Sequence, residues 1–486
     1  MGLKEISIEP ITRLEGHGKI TIFLDEEGDV KNAYFQFPEL RGFERFCEGR
    51  QPELMPDITS RICGVCPVAH HMASTKALDD LFGLEPTSVA RKIRELMYYA
   101  FYIADHSTIF YVLSAPDFVV GPQAPPAERN IVGLLRRVGA ETGRYILQQR
   151  INAYKIMAII GCKKGHPTFG IPGGVGKPLT EEERAKIEQL AKEAVEFGKF
   201  TVKLFKDVVV GNPEYLNLVK SETYYLKTYY MGLVDGKGQL NIYDGNIRVV
   251  TPSGKFFAEF PVHEYLNHIA EHVEPWSYMK FPYLKKIGWK GFVDGEDCGI
   301  YRVGPLARFN VADGIPTSEA HTAYEEMFDT LGGKPVHYTL AYHWARVIEI
   351  LYAAEKMLEL AQDPEITNPD VRRTADKPAR EEGIGVVEAP RGVLIHHYWT
   401  DKNALLRKVN LIVATVNNNA AMNMSIRKAA KSTIRKGKVS EGLLNMVEMA
   451  FRAYDPCIAC GTHVLGEKSR IPVEIYDRGG RLIRKL

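Results

Sequence analysis

The chain has 486 residues, 45% apolar and 25% charged, an ordinary globular composition with ample material for a large core. Its 62 basic and 60 acidic side chains nearly cancel, so overall charge gives no reason to expect nucleic acid or an anionic membrane as a partner. Length alone allows several domains, but no Ser/Gly-rich linker or low-complexity run divides the sequence, which predicts one connected body.

The first residues show no apolar run behind basic ones and no twin-arginine pair, so no secretory signal is expected and the expected location is the cytoplasm. Residues 19–37 read as a β-hairpin: Ile20, Ile22 and Leu24 alternate, residues 26–29 turn, and Val30, Ala33, Phe35 and Phe37 return. A short helix is predicted over 42–50, then a loop leads to Cys63, where Gly64 suits a tight backbone. Helical spacing runs over 69–82, and Thr87 or Ser88 caps a second helix that reaches Asp105. The most apolar window, 96–120, contains Asp105, His106 and Asp117, which predicts a buried core helix rather than a membrane span.

Another helix is expected over 140–160. The glycine-rich stretch 165–178 fits neither the P-loop nor the dinucleotide fingerprint and reads as a structural turn. Thr180 to Glu183 form a capping box opening a helix to about residue 209. Residues 222–312 change to Gly-Asn and Asp-Gly turns with Tyr/Val/Phe alternation, predicting a small β-rich insertion. His263 and His268 lie ~140° apart on a helix, which suits polar helix surface rather than a zinc-protease motif. A long amphipathic helix is predicted over 336–362, an extended approach into a Pro-Arg-Gly turn over 385–392, and over 443–453 a helix that delivers the last cysteines.

Seven cysteines are too few and too unevenly placed for a disulfide framework in a chain of this length. Four of them form two Cys-x-x-Cys pairs, Cys63/Cys66 and Cys457/Cys460. One such pair fits a redox dithiol, half a zinc site or two buried thiols. Two pairs so far apart in sequence would join both ends of the fold in one site, and a structural zinc stays open. Around both pairs stand Glu15, His17, Glu44, His70, Asp105, Arg391, Asp455 and His463. Each has a plainer role available, such as a capping acid or a core histidine, but together they suit proton handling and charge balance.

Arg13 to His17, Arg41 to Glu44, Arg61 to Cys66, His70, Ala389 to Gly392 and Asp455 to His463 together resemble, in order, the signature motifs of the nickel-iron hydrogenase large subunit. That resemblance implies an α+β, mainly helical fold: a central helix bundle, the N-terminal hairpin region and the β-rich insertion, with 1–463 as one domain. It implies reversible heterolytic cleavage of dihydrogen. By resemblance, Cys63 and Cys457 are terminal nickel ligands, and Cys66 and Cys460 bridge to an iron that carries carbon monoxide and cyanide. Cys460 is expected to accept the proton first and Glu15 to pass it outward. Arg391 is expected over the open metal face with Asp105 and Asp455 as partners and Pro390 beside it, and His70 bonded to a bridging cysteine. Glu44, His463 and the carbonyl of Leu411 correspond to ligands of a second metal, magnesium or iron.

Residues 464–486 follow His463 and resemble a hairpin, expected to be a maturation tail removed after nickel insertion by a maturation protease working with nickel-insertion factors. The closing histidine and the absent signal resemble the cytoplasmic multi-subunit group that uses F420, heterodisulfide reductase or a nicotinamide. Cys47, Cys162 and Cys298 are too scattered to hold an iron-sulfur cluster, so an iron-sulfur small subunit is implied, with flavin or further iron-sulfur subunits beyond it. The rival class is a metal-stabilised scaffold or a complex-I-like quinone-site subunit of the same fold.

Overall fold

The computed structural model describes residues 4–8, 11–37, 39–163, 165–166, 168–462, 474–476 and 482–485. Its frame is a bundle of four long helices, Ser88–Thr108, Ala140–Gly161, Glu181–Phe205 and Tyr342–Gln362, each packed on two of the others. Local chemistry fixes two of their starts. The Thr87 hydroxyl accepts from the Ala90 N–H at 3.2 Å, and Thr180 and Glu183 close the expected capping box. Tyr342–Gln362 is buried on nearly every side rather than amphipathic, and its buried polar residues are paired, Arg346 with His343 and Glu349 with Arg308.

That last helix starts six residues later than its periodicity predicts. The backbone before it is committed elsewhere: the Val336 N–H donates to Asn310 Oδ1 at 2.9 Å, and the His337 carbonyl accepts from the Leu226 N–H at 3.1 Å. The window 96–120 is a buried core element as expected, continuing from Ser88–Thr108 through a wider π-type turn, Ile109–Ser114, into Ala115–Val119. Among the described residues no helix is long and apolar enough to cross a membrane.

The expected hairpin forms from Lys19–Leu24 and Val30–Gln36, and Lys4–Ile8, which the alternation did not reveal, adds a third strand. Within 222–312, strands Tyr301–Arg302, Tyr229–Val234, Asn246–Val250 and Phe256–Phe260 make a four-stranded sheet in that order. Its Met231, Leu233, Ile247 and Val249 share an apolar cluster with Ile384, Val386, Val393 and Ile395. The latter four belong to a second sheet, Glu382–Ala389, Gly392–Thr400 and Leu406–Ile412.

The other face of that second sheet meets the helix Pro67–Phe82 at backbone distance. A Cβ at Gly383 would lie 2.3 Å from the Ala77 carbonyl oxygen, and one at Gly385 2.2 Å from that of Ala73. Alternate glycines therefore face the helix and let it sit directly on the strand. The glycine-rich stretch 165–178 is likewise structural: Gly174 lies so close to the Val371 carbonyl that a Cβ would be 2.1 Å from it. In the C-terminal segment, Glu474–Tyr476 pairs antiparallel with Leu482–Lys485, the strands expected of the tail hairpin.

Candidate metal centre

Both cysteine pairs are held where a helical turn begins or ends. Cys63 follows the helix Met55–Ser60, and Cys66 caps the start of Pro67–Phe82. Cys457 caps the short turn Ile458–Gly461, and its N–H is fixed by Thr415 Oγ1 at 3.1 Å. The four sulfurs lie within 4.8 Å of one another and are buried. Cys63 and Cys457 are 3.0 Å apart, Cys66 and Cys460 3.1 Å, and Cys457 and Cys460 2.9 Å. These are contacts between reduced cysteines, well beyond the ~2.05 Å of a disulfide. Burial pushes Cys457 and Cys460 well above an ordinary thiol, whereas Cys63 is pulled well below it by thiol hydrogen bonds from Cys457, Cys460 and Cys66. Soft ligands that surrender protons when a cation arrives are what a thiolate metal site requires.

Arg391 stands beside the sulfurs because of a two-residue turn. Ala389 pairs with Gly392 across the hairpin, leaving Pro390 and Arg391 at its tip. The guanidinium lies 3.3 Å from Asp105 and 3.1 Å from Asp455. Burial opposes its charge, but the two aspartates, with Cys457 and Cys66, outweigh that and push its pKa well above the usual value. Desolvation pushes the Asp455 carboxyl up to about 7 despite Arg391 and Arg346. Asp455 has φ 56°, a left-handed conformation uncommon outside glycine, which turns the chain sharply before Pro456. Among the described residues Asp105 Oδ2, Asp455 Oδ2 and Arg391 Nε have no hydrogen-bond partner, so buried polar capacity is left over at this spot. Cys66, Cys457, Cys460, Arg391, Leu394 and Thr415 border a cavity of about 10 Å³, room for roughly one water-sized molecule. A larger polar hollow of about 380 Å³, bordered by Lys76, Asp80, Arg91 and Tyr243, is separate from the sulfurs, and its Lys76 and Arg91 are already paired with Asp244.

Glu15 reaches the cluster through a single backbone bridge with Cys457, in which the Ile458 N–H donates to the Glu15 carbonyl at 3.1 Å. Its carboxylate accepts from Cys457 Sγ and from the Ala459 N–H, each at 3.0 Å. Burial, then the charge on Cys63, raises its pKa. His70 Nε2 lies 3.4 Å from Cys460 Sγ. Glu44, on the short helix Phe43–Cys47, accepts the Leu411 N–H at 2.7 Å, so these two expected neighbours do meet. His463 lies outside the described residues. The Pro390 carbonyl accepts from Arg308 Nη2 at 2.9 Å. His17 is exposed and pairs with Glu39.

Gly64 departs from expectation. It is exposed, has no positive φ, and a Cβ there would meet nothing within 4 Å, so nothing in the backbone demands glycine. Sequence reasoning also passed over Thr415, His396 and Tyr398. The last two sit two apart on one face of the strand Gly392–Thr400, a period-2 signal that was available beside the arginine turn.

Residues 41–131 and 144–463 match the family described as nickel-dependent hydrogenase, and residues 5–40 match one described as HoxL-like. A protein from Archaeoglobus profundus, named as an iron-sulfur subunit of an F420-non-reducing hydrogenase, is 50% identical over 485 residues, 100% of this chain and 99% of that protein. The NAD-reducing hydrogenase HoxS subunit beta of Cupriavidus necator is 37% identical over 494 residues, covering 99% of each. Among solved structures, an NAD+-reducing NiFe-hydrogenase in the H2-reduced state aligns with TM-score 0.88 at 38% identity, covering 95% of this chain and 99% of that one. Agreement of this extent over full-length proteins identifies the chain as a large subunit of the nickel-dependent hydrogenase family.

Proposed function

We propose that the four-cysteine centre holds the nickel-iron pair of this hydrogenase, with Cys63 and Cys457 as terminal nickel ligands and Cys66 and Cys460 bridging to an iron that carries carbon monoxide and cyanide. The observation that carries this reading is the convergence of four buried, unoxidised sulfurs within 4.8 Å. The donor set fits: four soft sulfurs, with buried polar atoms left unpaired beside them. When bound, the metals supply the Lewis-acid and redox chemistry that polarises dihydrogen.

The chain's own residues handle the proton. Glu15 bonds the sulfur of Cys457, so we assign the exchange of the first proton to Cys457 in place of Cys460. A carboxyl with a raised pKa, in contact with a thiol, can take that proton and release it outward. Arg391 holds a fixed positive charge at the cavity wall, and Asp105 and Asp455 keep it oriented there. Pro390 shapes the turn that aims it, and His70 Nε2 stands within hydrogen-bond reach of the Cys460 sulfur. Glu44 with the Leu411 carbonyl, joined by His463, would hold magnesium or iron: carboxylate and carbonyl oxygens suit magnesium, and an imidazole suits iron.

Splitting dihydrogen releases two electrons, and Cys47, Cys162 and Cys298 cannot form a cluster to carry them: three thiols fall short of the usual four, and among the described residues they join no group of metal-ligating side chains. An iron-sulfur small subunit is therefore the required partner, in a multi-subunit complex of the kind the relatives' subunit names describe, which we place in the cytoplasm. We further propose that residues 464–486 are removed after nickel insertion. Metal analysis of the purified complex should find about one nickel and at least one iron, with infrared bands of metal-bound carbonyl and cyanide, and mass spectrometry should find a chain ending near His463. Zinc alone, without those bands, would sink the reading, and nickel-loaded protein ending at Leu486 would sink the processing step.

A further inference from the structure

The turn that carries Arg391 is gripped by a buried side chain from another helix. Arg308, on Pro305–Val311, is fully buried, and its guanidinium has a partner for each of its five N–H groups. Nε and Nη2 donate to the two carboxylate oxygens of Glu349, each at 2.7 Å, and Nη1 donates to Glu388 Oε2 at 2.7 Å. The remaining two N–H groups reach backbone: Nη1 donates to the Ala389 carbonyl at 2.8 Å and Nη2 to the Pro390 carbonyl at 2.9 Å. The carbonyls on either side are taken as well. That of Glu388 accepts from the Tyr98 and Tyr102 hydroxyls at 2.7 and 2.6 Å, and that of Arg391 lies 3.4 Å from Asn418 Nδ2. Four consecutive carbonyls at the hairpin tip are therefore bonded to side chains from outside the hairpin, and Arg308 holds the middle two.

We propose that Arg308 is a positioning residue for Arg391: it fixes the backbone of the hairpin tip against the helix bundle, so that the Arg391 guanidinium stands beside the sulfurs. The proposal rests on the reading of Arg391 as the charge that serves the metal pair. Arg391 itself is held by longer contacts, one of 3.3 Å to Asp105 and one of 3.1 Å to Asp455, and among the described residues its Nε has no hydrogen-bond partner. Those contacts orient its head and leave the placing of its main chain to other groups. Glu349 supplies the fixed point. It lies on the bundle helix Tyr342–Gln362 and also bonds His106 Nε2 at 2.8 Å. His106 follows Asp105 directly on Ser88–Thr108, so one helix end anchors Arg308 through Glu349 and meets Arg391 through Asp105. A lysine at 308 would be a compact donor with three N–H groups, whereas the guanidinium fork grips two carboxylates and two carbonyls at once.

Arg308→Lys keeps a positive charge between Glu349 and Glu388 but gives up the grip on the two carbonyls. A misplacement of about 1 Å costs up to about 10²-fold in rate. In the nickel-loaded complex with its partner subunit, turnover per nickel should therefore fall by about 10- to 100-fold. The infrared bands of metal-bound carbonyl and cyanide, which sense a nearby charge, should shift with it. Combining this variant with Arg391→Lys separates positioning from general loosening, because a residue that acts through Arg391 has nothing left to place once that side chain is changed. The double variant should match Arg391→Lys alone in band position and, within about twofold, in turnover per nickel. Losses that multiply overturn the proposal, and so does an Arg308→Lys protein that is less stable but keeps unsubstituted turnover per nickel and bands. If Arg308→Lys fails to retain nickel, Glu349→Gln decides by the same cycle, because it replaces one of the two oxygens that Arg308 grips and keeps the side chain's size. Multiplying losses there, or loss of nickel from that variant too, overturn the proposal. Full turnover of Arg391→Lys is a separate result: it defeats the reading of Arg391 and this proposal with it.

Discussion

At the scale of single residues, Glu15 carries the sharpest demand. Its side chain has to accept from Cys457 and from the Ala459 N–H, yet also be ready to hold a proton itself. Burial and the neighbouring Cys63 charge make the second possible by weakening its acidity. Glu15→Gln keeps the shape and the acceptor oxygen but cannot cycle a proton. Nickel content should be unchanged, while hydrogen–deuterium exchange and turnover fall by about 10²-fold or more, the usual worth of a positioned acid-base group. Turnover at the unsubstituted level would remove Glu15 from the proton route. Its near neighbour in sequence, His17, has no such role, because exposure and the pairing with Glu39 take it out of the site.

At the scale of elements, the centre depends on one close approach. The helix Pro67–Phe82 carries Cys66 at its cap and His70 in its first turns, and the strand pair 382–400 carries Arg391 at its tip. Gly385→Ala would force a methyl to within 2.2 Å of a backbone carbonyl, an atom that cannot swing aside. The expected cost is about 1–3 kcal/mol or more of stability, read as a lower denaturation midpoint, together with reduced nickel retention as His70 and Arg391 separate. Gly64→Ala, with open space around it, should change neither. These contrasting glycines mark what the sequence could reveal. The capping box at Thr180, the hairpin turn at Pro390 and Arg391, and the cysteine spacing are local and were readable. The late start at Tyr342 depends on partners elsewhere along the chain, as do the contacts of Gly383 and Gly385, which no local pattern encodes; the strand Lys4–Ile8 was missed although it pairs with the next strand in sequence.

At the scale of the whole molecule, acid should loosen the fold through its buried imidazoles. His71 donates from Nδ1 to the Pro56 carbonyl and accepts the Gly170 N–H at Nε2, so it must be neutral, and burial lowers its pKa to about 4. Burial and then Arg302 lower that of His337 to about 3. Both rings are neutral when folded and take a proton when unfolded, so their contribution is intact above about pH 6.5 and is lost as pH falls toward 4 and 3. Each should cost up to about 1.4 kcal/mol per pH unit in that window. Denaturant midpoints measured from pH 7 to 5 should fall, and His71→Gln, which can keep both hydrogen bonds, should flatten the fall; an unchanged slope would refute the assignment. The same long-range organisation sets the centre itself, where Cys63 touches Cys457 across 394 positions of chain. Translation at about 5–20 residues per second puts roughly 20–80 s between the making of the first pair and the second. Throughout that interval Cys63 and Cys66 are an exposed vicinal dithiol on an incomplete polypeptide, open to oxidation and to any stray soft cation. A newborn chain therefore needs either a reducing surrounding or a temporary occupant for its first two sulfurs, and a cell starved of reductant should lose this enzyme at synthesis rather than in use.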